Sequence, residues 1–401
     1  MRRITLLTLC AVMLLLPIVL QAADWPRFGG PSGNATSPER GINKDWTKKP
    51  PKMLWQTSLT DGGYAGPSVS GGKVFIIDHM EDKDVVRAID IKTGKDVWKY
   101  SYVDAEKENY GFSRSTPAVD GGNVYTLGRM GVVNCLDTKT GKLKWSRNIM
   151  TEYKGVRPNW NYAMSPFVDG GKVILIPGGP DATVVAFDKI TGKTIWQGGG
   201  SDEPGYCTPQ KVNINGTPQY LIFSANTLMG LNPGSGAVLW NFNWKTRSGV
   251  NAAIPIVMGN EIFITASYGH GCALVKVNPT ETKSLWENKE MLAHFSSPVK
   301  VGSYIYGVGD PGKLICLDPA TGTPKWTQDG FEKGPMMGID GVLLVFDGKN
   351  GDLVMVNPNP DKYEELGRFT PLGGQSWTAP IASNGKMIVR NKTTLACFDL
   401  K

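Results

Sequence analysis

Histidine is scarce in this 401-residue chain, with three copies, and charge is thin, with 20% of residues Asp, Glu, Lys or Arg and a net of only +7. So mild an excess is not a nucleic-acid-binding composition. The histidines, His79, His270 and His294, stand far apart in sequence, and a metal centre needs near neighbours with further ligands, so no metal site is expected. No glycine-rich phosphate loop, nucleophile elbow or His-Glu-x-x-His phrase occurs, and none of the chemistries those motifs carry is announced. Beyond residue 20 no apolar run is long enough to span a bilayer. Disorder is excluded from the other side, because 41% hydrophobic residues and 12 Trp can bury a sizeable core.

The start of the chain reads as an address. Arg2 and Arg3 precede an apolar run from Ile4 to Leu20, and Gln21-Ala22-Ala23 supplies small residues for cleavage after Ala22 or Ala23. This is the pattern of a secretory signal peptide, the alternative being an uncleaved anchor. Cys10 has Leu9 where a lipidation signal needs a small residue. The expected product is exported, periplasmic or extracellular, and monomeric, with no transmembrane span in the mature chain.

What is abundant is glycine (49), proline (27) and tryptophan, and all three recur in one phrase. A β-rich run ends in Asp or Asn, a turn with Thr-Gly-Lys follows, then Trp. It runs from Ala88-Ile89-Asp90 through Thr93-Gly94-Lys95 to Trp98, and again with Asp137 and Trp145, Asp188 and Trp196, and Asp318 and Trp326. Weaker copies lead to Trp240 and Trp286, and in a decayed one Leu366 takes the Trp place. The repeat length, roughly 40–50 residues, is that of one four-stranded propeller blade. Prolines 67, 117, 166, 209, 255, 298, 335 and 380 open the first strand of each unit, and a glycine or asparagine hairpin follows each. Eight openings predict an all-β, eight-bladed β-propeller of four-stranded antiparallel blades. Its last unit stops at Lys401 without a Trp strand, while Leu54-Trp55-Gln56-Thr57 precedes the first opening, so an N-terminal strand should complete the last blade. The organisation is then residues 1–23 as leader, 24–53 as an extension packing on the propeller, and 54–401 as the ring.

The repeated aspartates read as turn-formers rather than calcium ligands, which would need several more oxygens per turn. Cys135, Cys316 and Cys397 stand where Ala88 and Ala186 stand in other units, which predicts free thiols or at most one disulfide.

The phrase Asp-x-x-Thr-Gly-Lys-x-x-Trp resembles the Trp-docking motif of pyrroloquinoline-quinone-like propeller repeats, from about Trp55 to Lys401. The segment Asp24-Trp25-Pro26-Arg27-Phe28-Gly29-Gly30 looks like the start of exported propellers of this type. The resemblance implies one of two functions. One is a non-catalytic scaffold like the BamB-like propeller of the outer-membrane β-barrel assembly machinery; the other is a quinoprotein alcohol dehydrogenase using pyrroloquinoline quinone and calcium. Those dehydrogenases carry an adjacent Cys-Cys pair, which this sequence lacks, and no calcium set can be aligned onto it. The expectation is a scaffold with no catalytic residue, metal or cofactor, binding a protein or a small or polymeric envelope ligand. The quinone and calcium belong only to the alternative.

Blade geometry says where such binding would occur. Connections from fourth to first strand share a face with those from second to third, around the channel mouth. The residues singled out there are Tyr110, Arg114, Arg129, Arg157, Trp160, Tyr162, Arg247, His270, His294 and Trp377, since aromatics and arginines on rigidly held loops suit recognition. Aromatics shortly before each proline, among them Tyr64, Tyr206 and Phe295, would otherwise simply plug the channel.

Overall fold

The computed structural model describes residues 24–401, so the leader lies outside the described residues. The repeats fold as eight antiparallel sheets, seven of four strands and one of five. The first blade runs outward in chain order through Ser68–Ser70, Lys73–Met80, Lys83–Asp90 and Asp96–Val103. Its two middle strands are buried on both faces, which is why they read as near-continuous apolar runs, while the outer strand alternates exposed and half-buried positions.

The turn phrase holds neighbouring blades together. Asp90 Oδ1 accepts from the Lys92 and Thr93 amides at 3.0 and 2.8 Å, which closes the turn and frees Gly94 to take φ +71°. The indole of Trp55, from the last blade, lies so close to Gly94 that a Cβ there would sit 2.7 Å from the ring. Trp98 covers Gly141 in the same way, Trp145 covers Gly192, Trp196 covers Gly236, and Trp286 covers Gly322. Each indole N–H also donates to a backbone carbonyl of the next blade, as Trp98 does to Thr138 at 3.0 Å. Burying each ring contributes about 3 kcal/mol.

Three copies depart from this pattern for visible reasons. Trp326 of the sixth blade faces a turn of the seventh, Asn357 to Glu364, that contains no glycine, though its indole still donates to the Asn359 carbonyl at 2.8 Å. The fifth blade's turn, Asn278 to Glu281, contains no glycine, and Trp240 of the fourth blade turns to its own sheet, donating to Gln219 Oε1 at 2.6 Å. In the seventh blade, where Leu366 replaces Trp, the buried Trp46 of the extension packs edge-on against Phe369 at 5.0 Å and lies over Gly367.

The ring closes as the sequence predicts, with Met53–Ser58 antiparallel to Thr394–Asp399. A buried ion pair between Arg390 and Asp61 fastens the same seam. One finding goes beyond the expected four-stranded blades: Thr36–Ser37 adds in parallel to Met336–Ile339 and makes the seventh blade five-stranded.

That short strand belongs to an extension that crosses the hairpin end of the channel and touches seven blades. Trp25 pairs with Val69 of the first, and Pro26 accepts from the Val119 amide of the second at 2.8 Å. The Arg27 guanidinium lies over Phe167 of the third, and Gln210 of the fourth donates to the Gly33 carbonyl. Gly29 abuts Ile254 of the fifth, and the Glu39 carboxylate accepts from the Asn384 and Gly385 amides of the eighth at 2.6 and 3.0 Å. The five described cysteines are all buried and unpaired.

Candidate ligand site at the channel mouth

With one end of the channel crossed by the extension, the space that remains is a cavity of about 290 Å³ opening at the other end. Trp25, Phe28 and Ala35 form an apolar floor, and Ile254, Met336, Met337 and Ile381 line the wall above it. The mouth is built by the connections leading into the eight prolines. At the third position before the proline, six blades present Tyr64, Arg114, Ala163, Tyr206, Ala252 and Phe295 to the cavity, and Trp377 does so in the eighth. The seventh is set one residue later, where Lys333 lines it. The alanines of the third and fifth blades are where the ring of large side chains opens into space.

The aromatic members touch one another around the rim. Tyr64 stacks on Trp377 at 5.0 Å, Trp377 meets Phe295 at 5.3 Å, and Phe295 meets His294 at 4.9 Å. His294 meets Tyr268 edge-on at 5.0 Å, and Tyr268 and Trp160 lie nearly parallel at 6.1 Å, with Tyr206 beyond. Tyr110, Tyr268 and Lys333 all line the cavity at φ between +50° and +57°, a left-handed conformation that is costly for bulky side chains and concentrates at functional sites.

The charges of the lining are all of one sign. Burial lowers the pKa of Arg114 to about 10, with the charge of Arg129 adding to the effect, yet the guanidinium stays protonated at neutral pH. Its Nη2 donates to the Gly111 carbonyl at 3.3 Å, its Nε has no partner, and no described carboxylate lies within 4 Å of it. Lys333 Nζ stands 5.1 Å from the Trp377 ring centroid and forms no described ion pair, Asp310 acting on it only at longer range. Burial, with the charge of Lys333, drives His294 down to about 4, so it is neutral at pH 7, and its Nδ1 is unpartnered. No carboxylate of the described residues lines the cavity.

Hydroxyls near the prolines are already engaged in holding blades together. Ser165 Oγ accepts from the Thr116 amide and Thr208 Oγ1 from Ser165, while Ser297 Oγ accepts from Ile254 and Thr378 Oγ1 donates to the Tyr64 carbonyl. The lining therefore offers rings and cations, and no hydroxyl paired to a base. It also fits the quinone–calcium pair poorly. A divalent ion would find no carboxylate ligand among the described residues that line it.

Of the ten residues singled out from sequence, Tyr110, Arg114, Trp160, His294 and Trp377 come together around this cavity. Arg129 does not; it is buried, its Nε 2.6 Å and its Nη2 3.0 Å from the Asp104 carboxylate, and it pins the 104–117 connection through the Glu106 and Lys107 carbonyls. Tyr162 is buried too and donates to the Pro177 carbonyl at 2.9 Å. Arg157, Arg247 and His270 lie on the outer rim, Arg157 facing Glu106 at 3.6 Å and His270 edge-on to Trp244. Sequence reasoning missed Tyr268, Lys333 and the floor; counting back three from each proline would have pointed to Glu332, one residue short of Lys333.

His79, Asp84 and Asp104 cluster beneath the same face, close enough to hold an ion. Their atoms are already spent. His79 bonds Asp84 at 3.0 Å and the Glu81 carbonyl at 2.8 Å, Tyr102 donates to Asp84, and Arg129 takes both oxygens of Asp104. The cluster, with Phe112 stacked on His79 at 3.6 Å, is a structural fastening.

Outside the cavity, the two longest connections form a platform. Asn109 Nδ2 donates to the Asn159 carbonyl at 3.0 Å, and with Arg157 and Glu106 this ties residues 104–117 to residues 149–166. Val103, Tyr110 and Val156 stand exposed on it, Tyr110 at 63%.

Comparison with known proteins places the chain among relatives of two kinds. The family model described as outer membrane protein assembly factor BamB matches residues 45–109 and 82–328. BamB of Yersinia pestis is 23% identical over 292 residues, covering 69% of this chain and 72% of that protein. The dehydrogenase subunit of the quinone alcohol dehydrogenase of Komagataeibacter europaeus is 28% identical over 208 residues, 47% of this chain, and the chain spans only 27% of that subunit's length. Among solved structures, a europium-containing methanol dehydrogenase superposes with a TM-score of 0.71 at 14% identity, covering 94% of this chain and 98% of the other, which is a likeness of fold.

Proposed function

Because the chain belongs to the family of BamB-like propellers, we propose that it is an exported, non-catalytic scaffold whose mouth face docks a partner protein of the cell envelope. The observation that carries this reading is the platform of the 104–117 and 149–166 connections. A tied pair of long loops presenting exposed valines, a tyrosine and Arg157 has the composition of a recognition surface. No described helix is long and apolar enough to cross a membrane. The dehydrogenase alternative finds no support in a lining without carboxylates.

The test is affinity capture from the native envelope with the wild-type protein and with Val103→Asp, Val156→Asp and Arg157→Glu combined. A partner recovered by the first and lost by the second supports the reading; equal recovery overturns it. Reconstitution with pyrroloquinoline quinone and calcium, assayed on alcohols with an artificial electron acceptor, should give no turnover.

A further inference from the structure

The platform accounts for the outer rim and leaves the cavity without a task. A ring that needed only to be closed could be filled by large side chains at every third-before-proline position. Here Ala163 and Ala252 leave a void instead, its volume at the lower end of the roughly 300–1,000 Å³ usual for small-molecule sites. The void is graded. Its floor is apolar, its walls at the mouth are aromatic faces, and its fixed charges, Arg114 and Lys333, are both cationic and both at the mouth. The Arg114 guanidinium lines the cavity with no described carboxylate paired to it, and its planar fork matches a carboxylate.

We propose that the channel is a binding site for a small organic acid with a flat apolar body, its ring seated among Trp160, Tyr206 and Trp377 above the Trp25–Phe28 floor and its carboxylate held by Arg114 with Lys333 nearby. The apolar floor selects a molecule charged at one end only, because a second buried charge there would go unpaired. Stacking walls favour a planar body over a flexible acyl chain, which would also surrender more conformational freedom on binding. The site goes beyond the scaffold reading: Arg114 and Trp160 belong to the same two connections but line the cavity, whereas Val103, Val156 and Arg157 do not.

The test uses the full mature chain and calorimetric titration with 2-naphthoate, its neutral counterpart 2-naphthamide, and decanoate, followed in parallel by tryptophan fluorescence. The expected result is one naphthoate per chain, held at least about tenfold more tightly than the amide, a difference of about 1.4 kcal/mol, with decanoate weaker than naphthoate. Arg114→Gln should erase the preference for the acid over the amide. Ala252→Trp should abolish binding while the melting temperature is kept; if it does not fold, Ala163→Leu serves the same purpose. Lys48→Gln, on the extension and away from the cavity, should bind as the wild type does. Equal affinity for acid and amide, an unchanged preference in Arg114→Gln, tighter binding of decanoate, or undiminished binding in a folded cavity-filled variant would each overturn the proposal. The capture experiment reads Val103, Val156 and Arg157, none of which lines the cavity, so either result can fail while the other stands.

Discussion

Arg390 and Asp61 lie 329 positions apart and meet at 2.8 Å, the two side chains 1% and 0% exposed. The guanidinium also donates to the carbonyls of Gly63 and Ala65, so one arginine of the last blade holds the connection that leads into the first. Burial pushes the Asp61 carboxyl up, and Arg390 offsets that by charge and hydrogen bonding. Asp61→Ala leaves the guanidinium buried without its counter-ion and should destabilise the fold by about 3–5 kcal/mol. Chemical denaturation of Asp61→Ala, Arg390→Met and the double variant checks this, and the double should cost at least about 1 kcal/mol less than the sum of the singles.

Blade docking predicts a contrast between two glycines with similar backbones. Gly141 has φ +71° and Trp98 lies where its Cβ would go, 2.6 Å away, whereas Gly121 has φ +54° and open space, Lys189 Nζ being the nearest atom at 4.0 Å. Gly121→Ala should cost about 1–2 kcal/mol from left-handed strain alone. Gly141→Ala should cost about 2–4 kcal/mol, since the ring must also move. Denaturant midpoints of the two variants decide it.

Stability should fall in acid through His294. Its folded pKa, about 4, lies below the unfolded value of 6.5, so the unfolded chain takes up the proton first and stability is lost as pH drops from 6.5 towards 4. The loss attributable to this group is up to about 3 kcal/mol. Asp310, raised by burial, acts in the opposite direction, so the slope is read as a difference. Melting temperatures between pH 7.5 and 4.5 should decline more steeply for the wild type than for His294→Gln.

The cysteines should be inert in the folded state. Burial pushes Cys207, Cys272 and Cys397 up to about 12 and Cys135 to about 11, so little thiolate is available at pH 8. A thiol reagent should label none of the five described cysteines in native protein and all five in denaturant. Labelling of fewer in denaturant without reductant would reveal a disulfide.

The ring was legible because its determinants repeat. Asp90, Gly94 and Trp98 mean little alone and a great deal when the same spacing returns with Asp137, Gly141 and Trp145. Much of the mouth was legible for the same reason, since the residues before each proline sit in equivalent places. Arg129 was misplaced because its partner Asp104 is 25 positions away and nothing local marks the pair. The floor was hidden more deeply. The extension attaches through single contacts, a carbonyl at Pro26 or an arginine over Phe167, that follow no period, and its strand Thr36–Ser37 is two residues long.

That extension sets an order of assembly. Its contacts reach from the first blade to the eighth, so they cannot all form until the chain has been made almost to its end and the sheets have gathered into a circle. The contacts of residues 24–43 with the seventh and eighth blades, like the seam at Thr394–Asp399, need the end of the chain to be present. Such long-range pairings fold slowly. Until they form, the open circle would expose the unpaired edge of the eighth blade and the apolar side chains of Trp25 and Phe28, a hazard that must be kept covered while the chain folds.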